Sequence, residues 1–193
     1  MSGRFEPVPG GGAAVDLDGV EVSILRSLSV QLLELIGPGE EPDADADPLA
    51  ALFAEGPSEP PSDPALRRLF PDAYGDDTEE LRSAAADFRR FTENDLRARK
   101  REDALTVVRA LDGFAAGDPE ETALLKLTPD ECRAWLGTLN DLRLTIATRL
   151  EITEDEESER LYRLPDSDPR KPMVMAYLWL GALQESLVET LLP

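Results

Sequence analysis

Cys132 is the only cysteine in a chain of 193 residues that contains no histidine. A thiol reacts as its thiolate, and a position near the start of a predicted helix lowers the pKa of Cys132. Asp130 and Glu131 beside it and the apolar neighbours Trp135 and Leu136 raise the pKa. Cys132 is therefore the one redox candidate, and we favour a buried, protonated thiol over a reactive one. No internal disulfide can form.

The sequence lacks the common motifs for metal binding, nucleotide binding and nucleophilic catalysis. Imidazole and paired-thiolate metal sites cannot be built, and no calcium-binding loop is present. Neither a glycine-rich phosphate loop nor a dinucleotide fingerprint occurs. Nucleophilic catalysis would have to use a lysine or a carboxylate as its base. We therefore expect no catalytic residue, no metal and no cofactor, and predict that the protein is not an enzyme; an all-carboxylate metal enzyme remains the open alternative.

A basic island, defined as residues 89–101, interrupts the long central helix predicted from about Asp77 to Leu111. It holds six basic residues against Glu93 and Asp95. In one interpretation Arg90 or Arg97 lies inside the protein and pairs with Asp141. Asn94 then pairs with Asn140, and the buried network fixes the register between helices. Its members are Arg90, Asn94, Arg97, Asn140, Asp141 and Arg143.

In the other interpretation the basic island faces outward and anchors a partner rich in carboxylates or phosphates. The anchoring residues would be Arg89, Arg97, Arg99, Lys100 and Arg101. We predict a division, with Arg90 and Arg97 inward and with Arg99, Lys100 and Arg101 outward. These three are the partner-binding candidates, although a merely solvated surface is the commoner outcome for such a run.

Helical spacing of apolar residues dominates the rest of the chain. Residues 4–8 and 13–17 flank a Pro-Gly-Gly-Gly turn and predict a small N-terminal β-hairpin. Leu81, Ala84, Ala85, Phe88 and Phe91 form an apolar face that should pack inside, and a final helix over 173–192 should lie at the centre of the bundle. Capping pairs three residues apart predict helix starts at Asp18/Glu21, Asp77/Glu80, Asp118/Glu121, Thr128/Glu131 and Thr153/Glu156. The predicted fold is an all-α, multi-helix bundle in a single domain over 1–193.

Residues 37–64 form an acidic, proline-rich segment within that domain. Seven of the sixteen prolines lie there, and the chain has no lysine or arginine between Ser27 and Leu66. Such a composition buries too little apolar surface to offset the entropy of ordering, so we expect most of the segment to be mobile. Only residues 48–55 have the spacing of a short docked helix.

The formal net charge of -20 limits the partners that the chain can bind. It repels nucleic acid phosphates and anionic membranes, so we expect no non-specific nucleic acid binding and no membrane association. The most apolar run, 173–183, is shorter than a spanning helix, and no signal sequence opens the chain. These features predict a cytoplasmic protein.

Three motifs in order resemble an actinobacterial family described only as a domain of unknown function. The resemblance covers most of residues 15–192 apart from the acidic segment. The residues that carry it are Phe88–Thr92 with Leu96, Arg97 and Lys100; then Trp135, Leu136, Leu139–Leu144 and Thr148–Leu150; and finally Tyr177–Leu180 and Gln184–Val188.

The family resemblance implies a regulator. Genes of the family commonly neighbour that of the ClpS protease adaptor. One mycobacterial member is an oxidative-stress-responsive transcription regulator that works with an alternative sigma factor and senses oxidants through two cysteines four positions apart. Here Thr128 and Leu136 occupy the positions four residues from Cys132, so that internal switch cannot form.

We therefore expect a non-enzymatic regulator of transcription under oxidative stress that contacts a sigma factor or RNA polymerase. The acidic surface would complement the basic, DNA-facing surfaces of those proteins. The alternative is an adaptor or partner of the ClpS–Clp proteolysis system.

Overall fold

Helices and one small sheet form the part of the chain that the computed structural model describes, residues 3–38, 56–75, 77–114, 123–152, 161 and 163–192. The strands are β1 (Glu6–Val8), β2 (Gly12–Leu17) and β3 (Ala123–Leu127). The helices are α1 (Gly19–Ile36), α2 (Pro64–Leu69), α3 (Glu79–Asp112), α4 (Pro129–Arg149) and α5 (Lys171–Leu191). The protein is mostly helical with a β-hairpin near its N-terminus, which confirms the predicted fold class.

The capping pairs locate two of the helix starts correctly. Asp18 and Glu21 form a capping box at α1, and Thr128 and Glu131 form another at α4. Each box satisfies backbone N–H groups that the first helical turn leaves without partners. Helix α3 differs by one residue, because Thr78 and not Asp77 is its N-cap, with its hydroxyl accepting from the Leu81 N–H at 3.2 Å.

The sheet contains one strand that the sequence did not predict. β1 and β2 pair antiparallel as a hairpin, whose turn uses Gly10 and Gly11 at φ angles of 101° and 86°. β3 then pairs antiparallel with β2. The helix start predicted at Asp118 lies outside the described residues, and β3 follows it at 123–127. Gly12 is required where the strands meet, since a Cβ there would lie 2.1 Å from the Leu127 carbonyl oxygen.

Helix α4 lies at the centre of the protein. It packs against the other four helices and contacts β2 and β3. The prediction that the final helix occupies the centre is wrong. Helix α5 packs on α4 and the sheet with one face, and it leaves Met173 and Met175 about two-fifths exposed on the other. The buried apolar side chains form one cluster that runs from Phe5 to Leu187.

The acidic segment is only partly described. Within 56–64, the Gly56 N–H donates to the Arg90 carbonyl oxygen at 2.7 Å, and Asp63 caps α2 and pairs with Arg149 at 2.8 Å. The helix predicted over 48–55 lies outside the described residues, as does the one predicted to start at Thr153.

Candidate protein-interaction surface

A ladder of alternating charges lies on the inner face of α3. Arg89, Glu93 and Arg97 follow one another at four-residue spacing, so their side chains stack on the same face. The Glu93 carboxylate accepts hydrogen bonds from Arg89 and, at 2.6 Å, from Arg97. Arg89 also donates to Asp72 Oδ1 at 2.8 Å and to the Phe70 carbonyl oxygen at 2.9 Å. The ladder attaches α3 to the segment that follows α2.

Arg89 is almost fully buried, with 4% of its surface exposed, as is Glu93 with 3%. Burial acts to lower the pKa of Arg89, but hydrogen bonds to Asp72 and Glu93 raise it above its ordinary value. The guanidinium therefore stays charged inside the protein because both of its terminal nitrogens are paired, while its Nε has no hydrogen-bond partner among the described residues. The prediction that Arg89 belongs to an outward anchor is therefore wrong. Its partner Glu93 was not predicted, although the four-residue spacing of 89, 93 and 97 indicates such a pairing.

Arg97 and Arg101 of α3 bind the carbonyl groups at the C-terminal end of α1. Arg97 donates to the Ile36 carbonyl oxygen, and its guanidinium lies 4.4 Å from the centre of the Phe70 ring. Arg101 donates to the carbonyl oxygens of Leu33 and Gly37 at 3.2 and 2.7 Å. Carbonyls at the end of a helix have no helical partner, and cations there complement its dipole. Arg101 is therefore a helix cap and not part of an outward anchor.

Lys100 joins α3 to α4 through a buried ion pair. Its ammonium donates to Asp141 Oδ1 at 2.7 Å, and the Asp141 side chain is only 4% exposed. Burial raises the pKa of Asp141, and Lys100 partly offsets this. The expected pairing of Arg90 or Arg97 with Asp141 is thus wrong. Of the three partner-binding candidates, Lys100 and Arg101 face inward and only Arg99 is exposed.

The other residues of the predicted network lie in separate places. Arg90 pairs with Asp87 at 3.3 Å, and Asn94 lies beside Gly56. Asn140 is exposed, and its side chain lowers the pKa of its neighbour Asp141. Arg143 donates to Gln184 of α5 and lies over the Tyr177 ring. The polar residues therefore form several local contacts between pairs of elements and not one network.

Lys100→Met should lower stability in a way that depends on pH. Because the pKa of Asp141 is raised on folding, the folded protein binds the proton more tightly, and stability falls as pH rises above the ordinary aspartate value. Without Lys100 the pKa of Asp141 in the folded protein rises further. We therefore expect the variant to lose about 2 kcal/mol of stability near pH 7, where Asp141 must be charged, and less near pH 5. Urea unfolding at both pH values measures it. The double variant Lys100→Met/Asp141→Asn should recover most of the loss, and equal losses at both pH values would contradict this.

Cys132 is fully buried at the first turn of α4. Its sulfur lies 4.0 Å from the Leu127 carbonyl oxygen. Burial raises the pKa of the thiol, while a hydrogen bond from the Ala13 backbone opposes the rise. A buried and protonated thiol is a poor nucleophile. The favoured interpretation, a structural cysteine, agrees with this placement.

We expect no reaction of Cys132 with a thiol reagent in the native protein and complete reaction in denaturant, because the reagent cannot reach the sulfur. Mass spectrometry after timed labelling measures this. The control is Val20→Cys in a Cys132→Ala background, since Val20 is 66% exposed and should react at once. Rapid native labelling of Cys132 would show that α4 and β3 open readily around it.

The outward face of α3 carries exposed apolar side chains. Leu81, Phe88 and Phe91 are 36%, 48% and 64% exposed, and Phe88 meets the half-exposed Tyr74 ring edge to face at 6.3 Å. The prediction that this apolar face packs inside is therefore wrong for Leu81, Phe88 and Phe91, whereas Ala85 is buried. The inner face of α3 is occupied by the charge ladder, whose partners are acids and carbonyl groups of the neighbouring segments.

A second apolar feature is the cleft between α1, α4 and α5, of about 530 Å³. Leu142 and Ile146 of α4 are part of its lining, together with Leu28 of α1 and Met173 of α5. Its one charged lining residue, Arg149, pairs with Asp63. The cleft can therefore make apolar contacts, but its lining carries no charge, apart from the paired Arg149, that would select a partner.

The described residues contain neither a cluster of metal ligands nor a helix that could span a membrane. No group of three or more cysteine, aspartate or glutamate side chains in this part of the chain is placed to hold a metal ion. None of its helices combines the length and apolar character needed to cross a bilayer.

A family model for the domain of unknown function DUF2017 matches residues 2–191, which is almost the whole chain. The chain belongs to DUF2017. Similar proteins from mycobacteria carry a more specific name. A Mycobacterium leprae protein is 33% identical over 183 residues, which are 89% of this chain and 79% of that protein. A Mycobacterium tuberculosis protein is 30% identical over 176 residues, which are 89% and 78% of the two chains. Both are named oxidative stress regulator AosR, and no solved structure matches.

Proposed function

We propose that this chain is a non-enzymatic regulator of transcription under oxidative stress that acts through contact with a sigma factor or RNA polymerase. The observation that carries the proposal is the similarity to oxidative stress regulators over 89% of the chain. The charge of -20 favours a basic protein surface over nucleic acid as the partner. This charge would speed the encounter with the partner and select among partners more than it would increase affinity.

The oxidant signal must reach this protein by a route other than an internal disulfide. The chain has one cysteine, and its thiol is buried and protonated. We therefore propose that the partner senses the oxidant and that this chain changes the partner's activity. Cys132→Ala should consequently leave the regulatory role intact.

A deletion strain tests the regulatory role. Transcripts are measured before and after treatment with a thiol oxidant in the wild type, in the deletion strain and in strains complemented with the wild-type gene or Cys132→Ala. The deletion should change the set of oxidant-induced transcripts, and both complementing genes should restore it. An induced set that is unchanged by the deletion would refute the proposed function.

Purified components test the contact. Immobilised protein should retain RNA polymerase holoenzyme, or a free sigma factor, at about 50 mM salt and release it at about 300 mM, because screening weakens charge complementarity. Failure to bind polymerase and every sigma factor at low salt would refute the contact. Retention of Clp protease subunits in the same assay would favour the proteolysis adaptor instead.

A further inference from the structure

The exposed stripe of α3 has the geometry of a helix-binding surface. Leu81, Ala84, Phe88 and Phe91 recur at intervals of three and four residues, so they share one face of the helix. The stripe runs over eleven residues from Leu81 to Phe91, about 15 Å along the helix axis, which is nearly three turns. Tyr74 widens the stripe by packing against Phe88. Large exposed aromatic side chains grouped in this way mark interaction sites more often than isolated exposed residues do.

The stripe is held rigidly by contacts on the opposite side of α3. Arg89 and Glu93 are buried in the charge ladder, and Lys100 and Arg101 tie the next turns to α4 and α1. Arg90 lies 4.8 Å from the centre of the Phe91 ring and pairs with Asp87, which restricts the most exposed ring. A partner would therefore meet a surface that is already ordered and would lose less entropy on binding.

Acidic residues on the same face specify the charge of the occupant. At about 100° per residue, Asp95 falls at the centre of the arc covered by the stripe, and Glu80 and Asp87 fall about 20° and about 40° beyond its Phe91 edge. All three acids are exposed. A second copy of this chain would bring the same acids to the interface, and like charges across an interface are unfavourable. Nucleic acid and anionic membranes are repelled in the same way.

We propose that this acidic, aromatic stripe, formed by Tyr74, Leu81, Ala84, Phe88 and Phe91 with Glu80, Asp87 and Asp95, docks a basic amphipathic helix of a protein partner. The apolar face of that helix would cover the two phenylalanines, and its lysines and arginines would meet the acids. The proposal deepens the proposed function, on which the choice of a protein partner rests.

A synthetic peptide of about 18 residues tests the surface without knowledge of the natural partner. It carries leucine and phenylalanine on one helical face and lysine and arginine on the other, and binding is measured by fluorescence anisotropy. Phe88→Ser/Phe91→Ser should weaken binding about tenfold or more, since aromatic residues dominate such interfaces. Val20→Ser/Leu124→Ser removes two equally exposed apolar side chains on other elements and should change affinity less than about twofold.

Charge reversal tests the acidic part of the surface. A chain of charge -20 attracts any basic peptide, so only the difference between matched variants is informative. Glu80→Lys/Asp95→Lys should weaken binding clearly more than Glu34→Lys/Glu185→Lys, which changes the net charge equally on α1 and α5. A peptide with glutamate in place of its basic residues should not bind.

The proposal would be overturned by no binding of the basic peptide, by equal affinities for the two serine double variants, or by a dimer in light scattering that Phe88→Ser/Phe91→Ser dissolves. The last would assign the stripe to a second copy. Failure of polymerase to bind, with the peptide results as expected, would refute the proposed function and leave the surface intact. Polymerase binding that Phe88→Ser/Phe91→Ser does not weaken would refute the surface alone.

Discussion

Arg89→Met is expected to lower the free energy of unfolding by about 3 to 5 kcal/mol. The change removes one of the two cations that meet the Glu93 carboxylate, which is 3% exposed, and it leaves the Phe70 carbonyl without this donor. Removing one partner of a buried ion pair lowers stability by far more than the intact pair contributes. The remaining carboxylate stays out of water and has too few hydrogen bonds to offset its loss of hydration. Urea unfolding followed by circular dichroism measures the loss.

Two controls separate burial from charge in the Arg89 result. Arg133→Met removes an arginine from an exposed pair with Asp130 on α4 and should cost less than about 1 kcal/mol. Arg89→Met/Glu93→Leu removes the buried carboxylate as well and should recover most of the stability. If Arg89→Met were as mild as Arg133→Met, the inner face of α3 would have to be accessible to water.

Features that depend on neighbours in sequence could be predicted. The capping boxes at Asp18 and Thr128 involve residues three positions apart, so sequence spacing alone identifies them. The hairpin turn is similar, since only glycine adopts the positive φ angles of Gly10 and Gly11 without strain. The order and ends of the main helices follow from such local signals.

Features that depend on distant residues could not be predicted. β3 pairs with a strand more than a hundred residues away, and its five residues are too few to distinguish a strand from part of a helix. Asp141 lies 41 residues from Lys100, and their pairing depends on the register between α3 and α4. Lysine and arginine reach different distances, so composition alone does not identify the partner.

The position of Phe88 and Phe91 shows where apolar spacing misleads. Their spacing predicts burial. On α3, however, the inner face is the opposite side, where arginines donate hydrogen bonds to Asp72, the Phe70 carbonyl and the end of α1. The aromatic side chains therefore remain outside. Which of the two faces of α3 lies inside could be recognised from sequence only by comparing the apolar face with the charged one.

Trp135→Ala is expected to cost about 3 to 5 kcal/mol, the usual result of replacing a buried aromatic residue. Trp135 is completely buried on the central helix, and its ring meets Phe5 edge to face with centres 5.8 Å apart. Phe5 precedes β1, and its N–H donates to the Ser186 hydroxyl of α5 at 3.1 Å. The cavity would thus lie where α4, the N-terminal segment and α5 meet. Thermal and urea unfolding of the variant measure the loss.

Trp135→Phe is the matched control, because it keeps an aromatic ring for Phe5 and removes the indole N–H, which has no hydrogen-bond partner among the described residues. The smaller ring leaves a smaller cavity, and the loss of an unsatisfied donor offsets part of its cost. We therefore expect Trp135→Phe to cost less than half as much as Trp135→Ala. If both variants cost the same, the hydrogen-bonding group of the indole would be important, and a water molecule would have to satisfy it inside the core.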